Sequence, residues 1–385
     1  MSRRGAVLIS LFALTVPPVL FASPKRIAIE RVAVSPSTFN PSAGESVGLD
    51  VVFARKGRVT VRIVDRDGFV VKTIASSIPA DEGSKRFRWN GTDERGAVIS
   101  DEAYSIRIDW LAAGLEETYF PALQAQTMTS VPVRYYSRRS GTISYDLPVA
   151  SRIHLQAGTA RPNPKTHEME GPVMKTIVNR EPRAAGQIAE QWSGLDESGS
   201  VFVPDLPDFV LAVAATPLPE NSIIAFGNHS ARFLDYVQSR SGISLFASSR
   251  AAEHLHHQGL STLGDVSPML EIEPLNARWS EAERIWIVRD RTIRLRATPT
   301  GPTASTFVQQ PGTLYEFVDG RLRTRYPVKR DSVTVEMPAT ALSSSGGLIS
   351  INWQSDYGPL ASNSLRMRLD QSATGPAADR KGALR

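Results

Sequence analysis

Short runs in which polar and apolar residues alternate recur along most of the chain. Residues 58–64, 84–89 and 104–110 each place an apolar side chain at nearly every second position. A period of two predicts half-buried β-strands. Glycine-containing turns such as residues 65–68 and 91–96 separate these runs, and glycine readily adopts the positive φ that tight turns require. The pattern therefore predicts an antiparallel β-sandwich of about 90 residues.

The same pattern occurs twice, at a spacing of 103 residues. Between residues 68–98 and residues 171–201, 13 of 31 positions are identical. Upstream, residues 48–63 match residues 141–156 at an offset of 93, which gives the second copy about ten extra residues in an enlarged hairpin loop. We therefore predict a duplicated domain. Its expected core and turn residues form three matched pairs: Trp89 and Trp192, Gly91 and Gly194, and Asp93 and Asp196.

The residues of the repeat resemble the Ig-like domain of the flagellar hook-capping protein family. The first repeat carries the resemblance through Val61, Arg62, Ile63, Asp65, Gly68, Trp89, Asn90, Gly91, Thr92, Asp93, Gly96 and Tyr104. The second repeat carries it through Gly171, Val173, Gly186, Trp192, Gly194, Asp196 and Gly199. The resemblance implies an Ig-like fold. The resemblance is one of modules and not of whole proteins. Hook caps have an assembly segment before this domain and lack a cleavable signal peptide, whereas we expect the reverse of this chain.

The N-terminus has the composition of an export signal. Arg3 and Arg4 precede an apolar stretch at residues 6–22 that is interrupted by Pro17 and Pro18. Such a stretch is too short and too broken for a stable membrane span, and it is typical of a signal peptide. We therefore expect a bacterial protein exported to the periplasm or the cell surface, with no stable membrane span in the mature chain.

The rest of the chain divides by pattern into further segments. Phe233, Tyr236 and Val237 have helical spacing, while alternation resumes after residue 267. We predict an all-β chain of three tandem Ig-like β-sandwiches, with a short, partly helical connector before the third. The predicted segments are a signal peptide at 1–22, the first repeat at 27–120, the second repeat at 131–219, a His-rich connector at 220–266, a C-terminal sandwich at 267–370 and a disordered tail at 371–385.

Composition and motifs exclude several classes of function. The chain has no cysteine, which rules out disulfides, thiolate metal sites and cysteine nucleophiles. A net charge of +5 is too small to argue for nucleic-acid binding. No phosphate-binding loop and no G-x-G-x-x-G sequence is present. We therefore expect no enzymatic activity, no cofactor and no nucleic-acid partner.

Two groups of residues could nevertheless bind a ligand. His254, His256 and His257 lie close together in sequence and could hold a metal ion, but a solvated polar linker is the simpler explanation of them. The C-terminal segment is rich in arginine, and alternation predicts one face shared by three of these side chains and a second face shared by two. A solvated outer sheet face is the alternative. The candidate anion-binding residues are Arg321, Arg323 and Arg325 on the first face, and Arg294 and Arg296 on the second.

These observations favour an exported, non-catalytic scaffold or assembly protein. Its Ig-like modules would dock envelope or surface-filament proteins, as the resemblance to a capping scaffold implies. One alternative is a binding module for an anionic glycan or a metal ion, which would use the basic C-terminal domain or the His-rich connector. Another is an accessory domain array of a hydrolase.

Overall fold

The computed structural model describes residues 27–124, 126–239, 249 and 262–370, and these residues are mostly β-strand. The predicted fold class, an all-β chain of sandwich domains, is confirmed. The predicted signal peptide, the tail and His254, His256 and His257 lie outside the described residues. No helix in the described part of the chain is long and apolar enough to cross a membrane.

The first sandwich packs a sheet of order β1-β3-β6 on a sheet of order β2-β18-β7-β4-β5, with β8 pairing to β7. Alternation along β4 directs Val59, Val61 and Ile63 into the core between the sheets. The strands are β1 (Ile29–Ser35), β2 (Thr38–Phe39), β3 (Val47–Phe53), β4 (Gly57–Val64), β5 (Val70–Ala80), β6 (Gly83–Trp89), β7 (Glu102–Ala112), β8 (Leu115–Tyr119) and, from much later in the chain, β18 (Ile223–Ala225).

Residues that follow the second repeat complete the first sandwich. Strand β18 pairs antiparallel with β7 and parallel with β2. Helix α1 (Phe233–Gln238) then inserts Phe233 and Val237 into the first core. The helix predicted from the spacing of these residues is therefore observed. The connector is not a free linker at this point, because it supplies a strand and a helix to the first domain.

The second sandwich packs a sheet of order β10-β11-β16 on a sheet of order β15-β12-β17-β9. Its extra segment forms a two-stranded hairpin, β13 with β14, where the enlarged loop was predicted. The strands are β9 (Thr129–Val131), β10 (Val133–Tyr136), β11 (Thr142–Leu147), β12 (Ser151–Thr159), β13 (Arg161–Pro162), β14 (Met169–Glu170), β15 (Val173–Arg183), β16 (Gly186–Gln191) and β17 (Phe209–Pro217).

Burial corrects the alignment of the two repeats. Val59 and Val61 point into the first core, and Ile153 and Leu155 hold the equivalent inward positions of the second, 94 residues later. The predicted offset of 93 would pair inward Val61 with His154, which lies on the opposite face of β12 from Ile153 and Leu155. That offset is wrong by one residue, because a one-residue slip moves every strand side chain to the other face.

The C-terminal sandwich packs a sheet of order β19-β22-β25 on a sheet of order β20-β21-β27-β26-β23-β24. Trp353 is buried in its core, with its ring centroid 5.9 Å from that of Phe307. The elements are β19 (Met269–Pro274), β20 (Ala277–Ser280), β21 (Ile285–Val288), β22 (Thr292–Thr300), α2 (Ala304–Val308), β23 (Gly312–Val318), β24 (Arg321–Val328), β25 (Val333–Pro338), β26 (Gly347–Ser355) and β27 (Leu360–Leu369).

Candidate functional site

A cluster of buried and half-buried charged side chains lies where the first repeat, the second repeat and the segment before the third domain meet. We call it the junction cluster. Its members come from the β4–β5 turn, the start of β7, strands β12 and β15, and the 3-10 helix Thr262–Asp265. They are Arg66, Glu102, Arg152, Arg180 and Asp265.

Glu102 links the two repeats through its carboxylate. Its Oε1 accepts a hydrogen bond from Arg152 Nη1 at 2.5 Å, and its Oε2 lies 3.4 Å from Arg66 Nη1. Arg152 also donates to the backbone oxygen of Ala103 at 3.4 Å. The side chains of Arg66 and Glu102 are only 3% and 4% exposed. One buried carboxylate therefore pairs with guanidinium groups from two different domains.

The segment before the third domain is held by the same charges. Asp265 forms an ion pair with Arg66, and Arg180 donates a hydrogen bond to the backbone oxygen of Gly264. Burial is the main reason that the pKa of Arg180 is lowered to about 10, and the neighbouring positive charge of Arg66 adds to this effect. Arg180 is therefore still charged at neutral pH.

Two aspartates of the β4–β5 turn contribute to this junction: one closes the turn and the other binds the segment before the third domain. Asp65 Oδ1 accepts hydrogen bonds from the backbone nitrogens of Asp67 and Phe69 at 3.0 and 2.9 Å, which closes the turn. Asp67 then accepts hydrogen bonds from the backbone nitrogen and the hydroxyl of Thr262, both at 2.8 Å. The turn thus joins the first domain to the segment that leads into the third.

The second repeat and the C-terminal sandwich share a further apolar contact. Met169 of the extra hairpin packs in a cluster with Val173 and Leu360, and Leu348 of the third domain belongs to the core of the second. Asn352 Nδ2 donates a hydrogen bond to the backbone oxygen of Val173 at 2.7 Å. The insertion in the second repeat therefore forms part of a domain interface.

This arrangement can hold domains in one orientation. Each of the three arginines contributes at least one hydrogen bond that crosses between segments, so moving one domain would leave buried charges without partners. Breaking a buried ion pair in this way is costly.

The structure separates the arginines that were predicted to share a face of β24. A β-bulge shifts the register between Glu316 and Phe317, so Arg321 lies opposite Val318 while Arg325 lies opposite Tyr315. Val318 and Tyr315 are three positions apart and face opposite sides of the sheet. The predicted common face of Arg321, Arg323 and Arg325 is therefore wrong, because the bulge interrupts the alternation. All three side chains are exposed.

Strand β24 has features that hinder pairing with another strand. Among the described strands it is the last of its sheet, and it combines exposed arginines with a bulge and Pro327. Natural sheets use charges, bulges and proline to prevent their edges from pairing. The exposed arginines of β24 are thus explained as protection of an edge.

Arg294 and Arg296 do share an exposed face of β22, as the alternation predicts. Arg296 donates to Glu273 Oε2 at 2.9 Å, and Arg294 lies directly opposite Glu336 on β25. This face therefore carries both signs of charge.

The matched residues of the two repeats occupy equivalent turns. Trp89 and Trp192 are buried, and the indole nitrogen of each donates to a backbone oxygen three residues later at 2.9 Å. Gly91 and Gly194 have φ values of +73° and +85°. A Cβ atom at Gly91 would lie 2.3 Å from Pro41 Cβ, so this position requires glycine for space as well as for conformation.

Asp93 and Asp196 stabilise these turns through backbone amides. Asp93 Oδ1 accepts from the nitrogens of Arg95 and Ala97 at 2.9 Å. Asp196 Oδ1 accepts from the nitrogens of Ser200 and Val201 at 3.1 Å, and Asp196 is only 2% exposed.

We expect Asp196→Ala to destabilise the protein more than Asp93→Ala. Both substitutions leave backbone donors without their acceptor, but only at Asp196 are the groups deeply buried and shielded from water. The expected losses in unfolding free energy are about 2–3 kcal/mol for Asp196→Ala and about 1 kcal/mol for Asp93→Ala. Urea unfolding of both variants measures the difference, and equal losses would contradict this explanation.

The metal-binding prediction falls on residues outside the described part of the chain, at His254, His256 and His257. Among residues 27–124, 126–239, 249 and 262–370, no three His, Asp or Glu side chains come together as metal ligands.

Sequence reasoning missed the junction cluster. Along β12, Arg152 and His154 alternate with Ile153 and Leu155, which is the pattern of a strand with one face in water. Only the proximity of another domain buries that polar face. The one local signal is the charged turn at residues 65–67, and it reads as an ordinary hairpin turn.

Comparison with known proteins adds little to this picture. No protein-family profile and no curated protein matches the chain. Among solved structures, it is similar to a chain of a 1.5-MDa bacterial ice-binding adhesin, with 12% identity and a TM-score of 0.18, over 88% of this chain and 97% of that one. It is similar to trypsin-activated α2-macroglobulin of Escherichia coli, with 11% identity and a TM-score of 0.19, over 89% of this chain and 23% of that one.

A third solved structure is the E. coli chaperone DraB, with 12% identity and a TM-score of 0.19, over 42% of this chain and 85% of that one. At these identities and TM-scores, the likenesses carry no argument about function. The fold described above depends only on the sheets of this chain.

Proposed function

We propose that the chain is an exported, non-catalytic scaffold protein that docks envelope or surface-filament proteins at fixed relative positions. The junction cluster is the observation that carries this proposal. A protein that spaces its partners needs domains that keep one orientation, and buried charges shared between domains resist reorientation. The completion of the first sandwich by β18 and α1 ties the same domains together through the backbone.

The proposal is tested by cross-linking the protein in its own cells and purifying it from the envelope fraction. We expect it to be recovered with an envelope or filament protein in a fixed stoichiometry. The Glu102→Gln variant should lose that association because it weakens the junction. Recovery of the native chain as a monomer without any partner would overturn the proposal.

A charge reversal separates the scaffold from a binder of anionic glycans. One variant carries all three substitutions Arg321→Glu, Arg323→Glu and Arg325→Glu. A scaffold that docks through its sandwiches should retain its partner in this variant. An anion-binding module should instead lose retention on an immobilised polyanion such as heparin. Loss of the partner together with loss of heparin retention would favour the anion-binding function. The variant that carries Arg55→Glu, Arg95→Glu and Arg139→Glu changes the charge by the same amount at exposed positions of the first two repeats, and it is the control.

A further inference from the structure

Strand β16 presents an unprotected edge. It pairs with β11 along its whole length, from Gly186 opposite Leu147 to Gln191 opposite Thr142. Within the described part of the chain it is the last strand of its sheet. Its outward-facing side chains, Gln187, Ala189 and Gln191, are exposed. A sheet edge of this kind offers a row of backbone groups to which another strand can bond.

The free edge of the equivalent strand in the first repeat, β6, carries different side chains. In the part of the chain that the structure describes, β6 is also the last strand of its sheet, and its outward-facing residues include Arg86 and Arg88. At the same positions, 103 residues later, β16 has Ala189 and Gln191. Arg86 is paired with Asp50 through two hydrogen bonds, at 2.6 and 3.0 Å, so the difference between the two edges is mainly one of size. Long arginine side chains line the first edge, and an alanine and a neutral glutamine stand at the same positions of the second.

The inward side of β16 adds no net charge to the edge. Glu190 accepts hydrogen bonds from Tyr145 and from Arg183 Nε, at 3.0 and 2.7 Å. The carboxylate is therefore neutralised within its own domain. Ile188, the other inward residue at the centre of the strand, is half-buried. A strand that approaches β16 meets no uncompensated charge.

We propose that two copies of this chain pair through β16, as antiparallel strands related by a two-fold axis at Ala189. In this register Ala189 faces its own copy, and Gln187 faces Gln191 of the second chain on the same side of the sheet. The small alanine allows close approach at the axis, and the two amide pairs can exchange hydrogen bonds. The joined sheet would have six strands, with β16 and its copy at the centre.

The self-complementary sequence of β16 is the reason to choose a second copy over an unrelated protein. A two-fold interface places the same surface on both subunits, so any net charge at its centre would repel itself. The outward residues of β16 are uncharged and its one acid is paired, so this cost is absent. The same symmetry applied to β6 would place two long Arg86 side chains, each paired with its own Asp50, opposite each other at the axis, where β16 has alanine. This inference does not depend on the proposed scaffold function.

A single cysteine tests the interface directly, because the chain has none of its own. Opposite residues of an antiparallel pair have Cβ atoms about 4.5–5.5 Å apart, close to the reach of a disulfide. Under mild oxidation, the full chain carrying Ala189→Cys should form a disulfide-linked dimer. The matched variant Arg86→Cys, on the protected edge, should remain at least tenfold less cross-linked.

The register is tested by two further variants. An equimolar mixture of Gln187→Cys and Gln191→Cys should give the mixed disulfide in excess over either homodimer. In sedimentation experiments without cysteines, Ala189→Lys should weaken self-association at least tenfold while leaving the thermal unfolding midpoint unchanged, since this side chain is exposed. A monomer at all concentrations, equal cross-linking at residues 86 and 189, or cross-linking of Ala189→Cys to an unrelated protein in preference to itself would each overturn the proposal.

Discussion

Replacing Glu102 by glutamine is expected to lower the free energy of unfolding by about 3–5 kcal/mol, the range typical when one member of a buried ion pair is removed. Glutamine keeps the size and one oxygen of the side chain but removes the negative charge. Arg66 and Arg152 would then remain buried with one counter-charge fewer. Urea unfolding at neutral pH measures the loss.

A half-exposed ion pair provides the control. Lys175 Nζ lies 2.7 Å from Glu197 Oε2, and both side chains are 31% exposed. Because water screens such a pair, Glu197→Gln should cost about 0–1 kcal/mol. If Glu102→Gln costs no more than Glu197→Gln, the junction cluster does not stabilise the chain.

The same variant also probes the arrangement of domains. Spin labels at one exposed site on the first repeat and one on the third domain report the distribution of distances between them. The native chain should give a narrow distribution and Glu102→Gln a broader one. An unchanged, narrow distribution would show that the apolar contacts between the second repeat and the third domain hold the orientation alone.

Features that depend on local pattern were predictable from sequence. The inward side chains of β4 alternate strictly, and the matched tryptophans and turn aspartates mark the same turn in each repeat. Each of these signals arises within a few consecutive residues, where the period of the strand and the chemistry of the turn act directly.

Features that depend on distant parts of the chain were not predictable. Strand β18 has three residues, too few to show a period, and it is a strand because β7 and β2 lie beside it. The bulge in β24 likewise has no signal in the alternation of Arg321, Arg323 and Arg325, yet it reverses which face Arg325 occupies. The junction cluster is the largest omission, since polar residues on one face of a strand ordinarily indicate solvent.

His154 tests whether the polar face of β12 is buried in the folded protein, although its sequence pattern indicates a solvent-exposed face. It lies on the face of β12 opposite Ile153 and Leu155, and its Nε2 atom is buried without a hydrogen-bond partner among the described residues. Burial, together with the nearby charge of Arg180, lowers the pKa of His154 to about 3. A histidine exposed by unfolding has a pKa near 6.5.

We expect His154 to make the protein less stable as the pH falls from about 6.5 towards 3. In this window the unfolded chain binds a proton at residue 154 and the folded chain does not, so acid favours the unfolded state. The effect vanishes well above pH 6.5, begins as the pH falls through 6.5 and grows by up to about 1.4 kcal/mol per pH unit below it, which amounts to about 2–3 kcal/mol at pH 4.5.

The contribution of His154 is isolated by comparing two variants. His154→Gln removes the imidazole whose Nε2 atom is buried, while His229→Gln removes an exposed imidazole and serves as the control. Urea unfolding from pH 7 to pH 4 should show that His154→Gln loses less stability on acidification than His229→Gln, by about 2–3 kcal/mol at pH 4.5. Because both variants retain every carboxylate, acid titration of those groups cancels in the comparison. Parallel curves would mean that His154 is solvated in the folded protein, and that the polar face of β12 meets water after all.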